Sequence, residues 1–261
     1  MNTVLKHILK KKEKGEKMLA VLLDPDAYRD SKKCIEVINL CNINQIDFIF
    51  VGGSLVAHEQ LDEFILEIKE FTTIPVVLFP GDNSQISSHA DAILLLSLIS
   101  GRNPEYLIGQ HVRAAMDLKN SGLEIIPTGY MLVDGNSNTS VSYVSQTIPI
   151  PCGKNQIAIS TALAGEQLGM QMIYMDTGSG ARNTVDVNMI KALKKHIELP
   201  IVSGGGVKDP IDLKNLFTSG SDIVVVGNIF EHNPRLIEEF GKVTINYRQD
   251  EVERSIIKKE S

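Results

Sequence analysis

Residues 200–228 of the chain read PIVSGGGVKDPIDLKNLFTSGSDIVVVGN, and this stretch decides the fold. It holds two short apolar runs, residues 200–203 and 222–227, of the kind found in parallel strands that are buried on both faces. Between them, residues 210–218 have the apolar spacing of an amphipathic helix. Because each apolar run ends in glycine, the stretch predicts a strand–helix–strand unit whose strands end in bare backbone.

The same alternation of apolar runs and amphipathic segments continues toward the N-terminus. Eight strands with intervening helices predict a (β/α)8 barrel, with an open doubly wound sheet as the alternative. We expect a single domain over residues 1–261, since a barrel of this kind needs about 250 residues. The six further strand candidates are residues 18–24, 47–52, 75–79, 92–97, 124–129 and 172–176, and the other helical segments are residues 31–42, 58–71, 103–120, 160–168 and 185–196.

Two connections and both termini depart from a regular barrel. Residues 80–91 are too few for a helical crossover. The third outer helix is therefore expected to be reduced or replaced by a loop, which leaves an open flank where a long apolar substituent could lie. Residues 130–155 show no clear strand or helix, which predicts a lid or binding loop. The lysine-rich residues 1–17 predict a basic, solvated helix, with attraction to an anionic bilayer as the alternative, and the charged tail from residue 250 is expected to fray.

Composition excludes several classes of protein. The formal net charge of −6 argues against a nucleic-acid partner. No run of about 18 apolar residues is present, so no transmembrane segment is expected, and the N-terminus lacks a secretory signal. Three cysteines without a CxxC pair suggest neither a disulfide framework nor a zinc site, and a reducing cytoplasm fits best.

Three glycine-bearing segments follow the last three predicted strands: residues 174–180, 203–206 and 226–228. Glycines allow a ligand to approach the backbone closely. The loops after the seventh and eighth strands form the usual phosphate site of a (β/α)8 barrel. We therefore predict that the protein binds a phosphorylated small molecule.

Polar residues follow several other strands, and each has two interpretations. The run Leu23-Asp24-Pro25-Asp26 is either a tight turn or a Mg²⁺ site. Ser54 is either a helix N-cap or a hydroxyl aimed at a metal or phosphate. Arg102 is either a diphosphate contact or a surface charge. Asp176 shares a strand face with Tyr174, so it is either a general base or a carboxylate that caps its loop. The histidines are expected to be structural or solvated.

The combination of Leu23-Asp24-Pro25-Asp26, Gly52-Gly53-Ser54, residues 174–181, residues 204–206 and Gly227-Asn228 resembles the geranylgeranylglyceryl phosphate synthase family, including its bacterial PcrB-type members. The resemblance extends roughly from residue 18 to residue 234. The Gly-Ser-Gly-Ala form of the sixth-strand motif and the insertion at residues 130–155 resemble group II, the second of the family's two broad groups.

The resemblance implies a prenyltransferase with a barrel modified at its third helix. The C3 hydroxyl of sn-glycerol 1-phosphate attacks C1 of a polyprenyl diphosphate, here geranylgeranyl diphosphate, and diphosphate leaves. It also implies a cytoplasmic homo-oligomer, a dimer or hexamer, with transient membrane-surface contact for product release. The implied Mg²⁺ ligands are Asp24 and Ser54, the implied catalytic residue is Asp176, and the implied substrate-binding residues are Tyr174, Met175, Asp176, Thr177, Gly178, Ser179, Gly180, Gly205, Gly206, Gly227 and Asn228.

Two positions depart from the family pattern. Many members carry Glu where this chain has Asp176, and some carry Lys where it has Leu22. Two alternative functions stay open on the sequence. One is another phosphate-binding barrel enzyme, an isomerase or lyase acting on a sugar or indole phosphate. The other is a non-catalytic barrel that binds a phosphorylated metabolite.

Overall fold

A computed structural model describes residues 3–53 and 58–260, and in this part of the chain eight parallel strands close into one barrel. Neighbouring strands pair in chain order, and the eighth closes the ring by pairing with the first. The predicted barrel is therefore confirmed. The strands are β1 (Met18–Leu23), β2 (Phe48–Val51), β3 (Val76–Leu78), β4 (Ala92–Leu98), β5 (Glu124–Leu132), β6 (Met172–Asp176), β7 (Ile201–Gly204) and β8 (Ile223–Val226).

Helices surround the barrel. A π-helical segment, Glu105–Gly109, runs directly into the fourth of them. The helices in the described residues are α1 (Val4–Glu13), α2 (Ser31–Ile43), α3 (His58–Phe71), α4 (Gln110–Ser121), α5 (Ser140–Ser145), α6 (Asn155–Gln167), α7 (Val187–Lys194), α8 (Pro210–Ser219), α9 (Asn228–His232) and α10 (Leu236–Glu260).

Side chains alternate between two apolar layers along every strand, as the pleat requires. On β6, Met172 and Tyr174 belong to the inner layer, whereas Ile173 and Met175 pack in the outer layer between strands and helices. Asp176 comes two residues after Tyr174 on β6, so its side chain lies on the inner side as well. The alternation therefore decides which residues at the strand ends reach the interior of the barrel.

The N-terminal helix packs against the barrel, whereas the sequence predicted a solvated helix. Val4, Leu5 and Ile8 of α1 are buried and pack in the inner layer of the barrel. The backbone N–H groups of Val4 and Leu5 donate to the carboxylate of Glu124, at 2.7 and 2.9 Å, at the start of β5. The helix thus packs against the inner layer near the N-terminal ends of the strands, opposite the end where the site residues lie. The lysines suggested a solvated helix, although Val4, Leu5 and Ile8 have the spacing of one helical face.

The prediction of no strand or helix in residues 130–155 is wrong. β5 continues through Leu132, where residues 130–132 pair with β6. The short helix α5 begins after Thr139, whose hydroxyl takes part in a capping box with Ser142. α6 begins at Asn155, five residues before the predicted start. The charged residues from Asp250 onward belong to α10, which continues to Glu260.

The connection between β3 and β4 contains no helix, as predicted. Gln85 holds this connection in place, because its side chain accepts from the N–H of Gly81 and donates to the carbonyl of Gly53, both at 2.9 Å. Without a helix above them, the outer faces of Ile93 and Leu95 border a groove. Among the described residues, no helix is both long enough and apolar enough to cross a bilayer.

Candidate active site

A cavity of about 520 Å³ opens at the C-terminal ends of the strands. It is bordered by the loops after β6, β7 and β8 and by Asp24 just beyond β1. From there it extends along β4 and α4 on the flank that lacks a helix. One continuous space therefore joins a backbone-lined pocket to an apolar groove.

Glycine is required where the loops after β6 and β7 meet. Gly205 and Gly206 both have positive φ, +82° and +68°, a backbone region that other residues rarely adopt. A Cβ on Gly205 would lie 2.4 Å from Oγ1 of Thr177, and a Cβ on Gly206 would lie 2.2 Å from the carbonyl oxygen of Asn183. The two loops are therefore in direct backbone contact, and their amides lie at the edge of the cavity.

The loop after β6 is also tied to the loop after β8. The hydroxyl of Ser179 donates to Oδ1 of Asn228 at 2.8 Å. Both residues are exposed at the cavity, beside Gly180 and Gly227. The three glycine-bearing segments of the sequence thus converge on one place, as predicted from their positions after neighbouring strands.

Asp176 is a buried carboxylate that faces the cavity. Its oxygens accept from the hydroxyl of Tyr130 and from the N–H of Gly178, both at 2.6 Å. Burial raises the pKa of Asp176 above its ordinary value, although these two hydrogen bonds favour the ionised form. A cavity-facing carboxylate with a raised pKa is suited to accept a proton.

Tyr130 and Tyr174 lie beside Asp176, and Phe79 packs against both tyrosine rings. Tyr174 stacks on Phe79 with 5.0 Å between ring centroids, and Tyr130 lies 5.6 Å from Tyr174. Burial, followed by the charge of Asp176, raises the pKa of both tyrosines well above 10, so both hydroxyls stay protonated at neutral pH. Tyr130 was not among the site residues predicted from the sequence, because 46 residues separate it from Asp176 along the chain.

Asp24 lies at the rim of the same cavity. Its Oδ1 accepts from the N–H of Asp26 at 3.0 Å, which makes the predicted tight turn. Burial raises the pKa of Asp24, opposed by this hydrogen bond. A Cβ on Gly53 would lie 2.5 Å from Oδ1 of Asp24, so the loop after β2 runs directly against the carboxylate.

This arrangement fits a divalent cation in its donor chemistry. The Asp24 carboxylate is a hard oxygen donor beside the cavity, and Mg²⁺ in such sites is commonly bound by one or two carboxylates together with substrate phosphates. Ser54, the other predicted ligand, lies outside the described residues. Glu231 also lines the cavity, and burial together with the nearby charge of Asp24 raises its pKa. Among the described residues, no group of three or more His, Cys, Asp or Glu side chains could hold a metal.

The structure separates the other predicted site residues into two sets. Those that line the cavity are Asp24, Tyr174, Asp176, Ser179, Gly180, Gly205, Gly206, Gly227 and Asn228. Met175, Thr177 and Gly178 are not among the cavity-lining residues. The Met175 side chain packs in the outer layer, Thr177 donates to the Gly204 carbonyl at 3.4 Å, and Gly178 supports Asp176.

Arg102 is not at the site. Its guanidinium donates to the carbonyl of Gly101 at 2.6 Å, and its side chain borders a second groove beside α6.

Two histidines that were expected to be structural or solvated, His111 and His232, do line the cavity. Lys208 lines it as well, two residues beyond Gly206, and had no role in the sequence-based site.

The fold and this cavity define a class: a (β/α)8-barrel protein with a phosphate-type pocket of backbone amides and an acidic residue at its rim. The PcrB family model matches residues 10–244, so the chain belongs to the PcrB family.

Relatives and a solved structure agree with this assignment. The chain is 48% identical to geranylgeranylglyceryl phosphate synthase of Chitinophaga pinensis, over 91% of this chain and 94% of the relative. It is 47% identical to the protein of the same name from Spirosoma linguale, over 92% and 96%. Its structure is similar to (S)-3-O-geranylgeranylglyceryl phosphate synthase of Thermoplasma acidophilum in complex with its substrate sn-glycerol-1-phosphate. The TM-score is 0.87 at 31% identity, covering 94% of this chain and 99% of the other.

Proposed function

We propose that this protein transfers a geranylgeranyl group from geranylgeranyl diphosphate to the C3 hydroxyl of sn-glycerol 1-phosphate. The bond from C1 of the isoprenoid to diphosphate breaks, and an ether bond from C1 to the C3 oxygen forms. One observation carries the proposal. A single cavity joins backbone amides suited to a phosphate, a buried carboxylate suited to a proton, and an apolar groove suited to an isoprenoid.

The glycerol phosphate is assigned to the pocket between the loops after β6, β7 and β8. Amide groups near Gly180, Gly206 and Asn228 suit the phosphate, because oriented backbone N–H groups bind anions. The relative from Thermoplasma acidophilum binds sn-glycerol-1-phosphate, and it shares this fold closely. With the phosphate held there, the glycerol hydroxyls extend toward Asp176.

Asp176 is assigned the role of general base, which accepts the proton of the C3 hydroxyl. Tyr130 and Gly178 fix the carboxylate by donating to it, which holds it in place without neutralising it. Holding the hydroxyl and the carboxylate together in a cavity walled by aromatic rings supplies much of the rate through positioning. Many members of the family have glutamate at this position, and aspartate is one methylene shorter. Here the hydroxyl of Tyr130 donates to the aspartate and holds it in place.

Mg²⁺ is assigned to Asp24 with Ser54. Held by these two residues, Mg²⁺ would supply positive charge for the departing diphosphate. Asp24 lines the cavity, so an ion that it held would lie beside the donor's diphosphate.

The isoprenoid is assigned to the groove on the open flank. Its walls are apolar residues of β4 and α4, including Leu95, Ala114 and Leu118. Ala114 and Leu118 are buried in the groove wall, each only 5% exposed. A chain bound there is shielded from water along its length.

Replacing Ala114 with phenylalanine is expected to shorten the groove. Turnover of geranylgeranyl diphosphate should fall by about tenfold or more, because an extra ring in a packed apolar site costs about 1–3 kcal/mol. Geranyl diphosphate, whose chain is half as long, should be used at close to the wild-type rate. The lengths of the ether products, measured by mass spectrometry with each donor, test this.

Ala164→Phe is the matched control, since Ala164 is exposed on α6 and lies away from the groove. It should leave the preference for donor length unchanged. Equal use of both donors by Ala114→Phe and by the wild-type protein would contradict the assignment of the groove.

A homo-oligomer is also proposed, and α4 offers a surface for it. Ile108, Val112 and Met116 form one exposed apolar stripe at a spacing of four residues, with 58%, 69% and 64% of each residue exposed. In an antiparallel pair of helices centred on Val112, Ile108 faces Met116 of the partner subunit. Glu105, which already pairs with Arg113 of its own subunit, then faces Lys119 of the partner subunit. A two-fold interface of this kind has matching apolar residues and opposite charges. A dimer fits one such surface, and a hexamer needs a second.

Replacing Val112 with arginine is expected to break this interface at micromolar concentration, because two like charges would meet at the two-fold axis. A dimer should become a monomer, and a hexamer should become a smaller assembly held by its second interface. Light scattering after size-exclusion chromatography gives the mass. Ile211→Arg, at a residue of α8 that is 68% exposed, is the matched control and should leave the mass unchanged. A Val112→Arg protein with the wild-type oligomeric mass would contradict this interface.

The cytoplasm is the proposed location. The three cysteines of the protein are free thiols, which suits a reducing compartment. The product carries a long isoprenoid, so its release is assigned to a transient contact with a membrane surface.

One incubation tests the proposed reaction against its alternatives. The purified protein is given Mg²⁺, geranylgeranyl diphosphate and radiolabelled glycerol phosphate, either the sn-1 or the sn-3 isomer. The proposal predicts organic-soluble label from the sn-1 isomer. An isomerase or lyase acting on a sugar or indole phosphate would give none, and neither would a non-catalytic binding protein, so no organic-soluble label with either isomer would overturn the proposal.

A further inference from the structure

The cavity is strongly acidic for a site that takes two anions. Its charged lining in the described residues consists of Asp24, Asp82, Asp176 and Glu231 against a single lysine, Lys208. A phosphate monoester carries about −1.5 to −2 charge at neutral pH, and a diphosphate carries more. A cation beside the glycine amides would therefore favour binding of these anions, in addition to any metal at Asp24.

Among the described residues that line the cavity, no other lysine or arginine supplies this cation. Arg102 borders the second groove. On β1, Leu22 reaches the cavity with an apolar side chain that lies against Gly227. Residues 54–57, which lie outside the description, read Ser-Leu-Val-Ala in the sequence and contain no Lys or Arg.

Lys208 lies where the loops after β6 and β7 meet, beside the glycine-lined pocket. It follows Gly206 by two residues in the loop after β7, and its Nζ donates to the carbonyl of Arg182 in the loop after β6, at 2.7 Å. Its backbone N–H donates to Asp212, which fixes the start of the side chain. The side chain is exposed, and an ammonium group has three donors, so the bond to Arg182 leaves two for another acceptor.

We propose that Lys208 binds the phosphate group of sn-glycerol 1-phosphate, a role that rests on the proposed function. The ammonium extends from the Arg182 carbonyl toward the phosphate oxygens held by the glycine amides. It thereby joins the loops after β6 and β7 across the bound phosphate. It also supplies the positive charge that neither Leu22 nor Arg102 provides.

Binding of sn-glycerol 1-phosphate, measured by calorimetry on the full chain, tests this role. Lys208→Met is expected to raise the Kd by about tenfold or more, the scale of one charge-assisted hydrogen bond. Lys208→Arg keeps the charge and should stay within about threefold of wild type. Lys214→Met, at an exposed lysine of α8, is the matched control and should bind as wild type does.

Lys208→Gln separates direct contact from a purely structural link. Its amide, one bond shorter than the lysine side chain, keeps a donor for the Arg182 carbonyl but carries no charge for the phosphate. If Lys208 binds the phosphate, Lys208→Gln should be as weak as Lys208→Met. Wild-type affinity in either variant would overturn the proposal for Lys208 alone. A wild-type protein that binds no sn-glycerol 1-phosphate would contradict the proposed function, and the role of Lys208 with it.

Discussion

Replacing Asp24 with alanine is expected to lower kcat by about a thousandfold, the scale of several kcal/mol that a metal contributes to stabilising transition-state charge. Asp24 is the carboxylate at the rim where diphosphate departs. Its contribution to folding is small by comparison, since it accepts one hydrogen bond in an exposed turn. The melting temperature should therefore change little while steady-state turnover is lost.

Asp26→Ala is the matched control for this variant. Asp26 lies two residues away and is exposed, and its carboxylate pairs with Arg29 at 2.6 Å outside the cavity. Its removal should leave kcat within about threefold, because exposed ion pairs contribute about 0–1 kcal/mol. If Asp24→Ala turned over like Asp26→Ala, the metal assignment would fail.

Replacing Asp176 with asparagine is expected to lower kcat by about 10²–10⁴-fold, the usual contribution of a positioned general base. Asparagine keeps the shape of the side chain and one acceptor oxygen, so it can accept from Tyr130 or from Gly178 but not from both, and it cannot accept the hydroxyl proton. Asp176→Glu restores a carboxylate and should recover most of the activity. Activity in Asp176→Asn equal to that of Asp176→Glu would show that the residue only orients the substrate.

The raised pKa of Asp176 also sets a pH dependence. Asp176 must be ionised to accept a proton, so kcat/KM should fall as pH decreases through its pKa in the free enzyme. Because burial raises that pKa above the ordinary value, the decline should begin at a higher pH than for an exposed aspartate. A pH–rate profile measures this, and in Asp176→Asn the decline due to this group should disappear from the residual activity.

Loss of activity in Asp176→Asn is distinguishable from loss of the fold. A carboxyl whose pKa is raised on folding destabilises the folded state once pH exceeds its pKa in the unfolded chain. At neutral pH the removal of this buried charge offsets the loss of one of the two hydrogen bonds, so Asp176→Asn should melt close to the wild-type temperature. A clearly lower melting temperature would mean that the hydrogen bonds of the charged carboxylate outweigh its burial.

Local patterns were sufficient to predict the barrel and the glycine-lined pocket. Continuous apolar runs such as residues 223–226 are typical of strands with both faces buried, and the glycines directly after β6, β7 and β8 fix where the backbone is bare. Asp176 could be assigned to the interior because it lies two residues from Tyr174 on one strand. The short connection at residues 80–91 left no length for a helix, so the open flank followed from chain length alone.

Contacts between distant parts of the chain could not be predicted in this way. The hydrogen bond from Tyr130 to Asp176, the placement of Lys208 beside Arg182 and the burial of α1 against the inner layer each depend on the register of strands around the closed ring. The same limit explains Arg102, which follows β4 as a site residue would but turns its guanidinium back onto the carbonyl of Gly101.

A crystal structure with bound sn-glycerol 1-phosphate tests the central claim most directly, namely that glycine amides hold a phosphate within reach of a buried carboxylate. We expect the phosphate between the loops after β6, β7 and β8, in contact with amides near Gly180, Gly206 and Asn228, and the C3 hydroxyl within hydrogen-bonding distance of Asp176. Phosphate density elsewhere, for example in the second groove beside Arg102, or a C3 hydroxyl directed away from Asp176, would contradict the account.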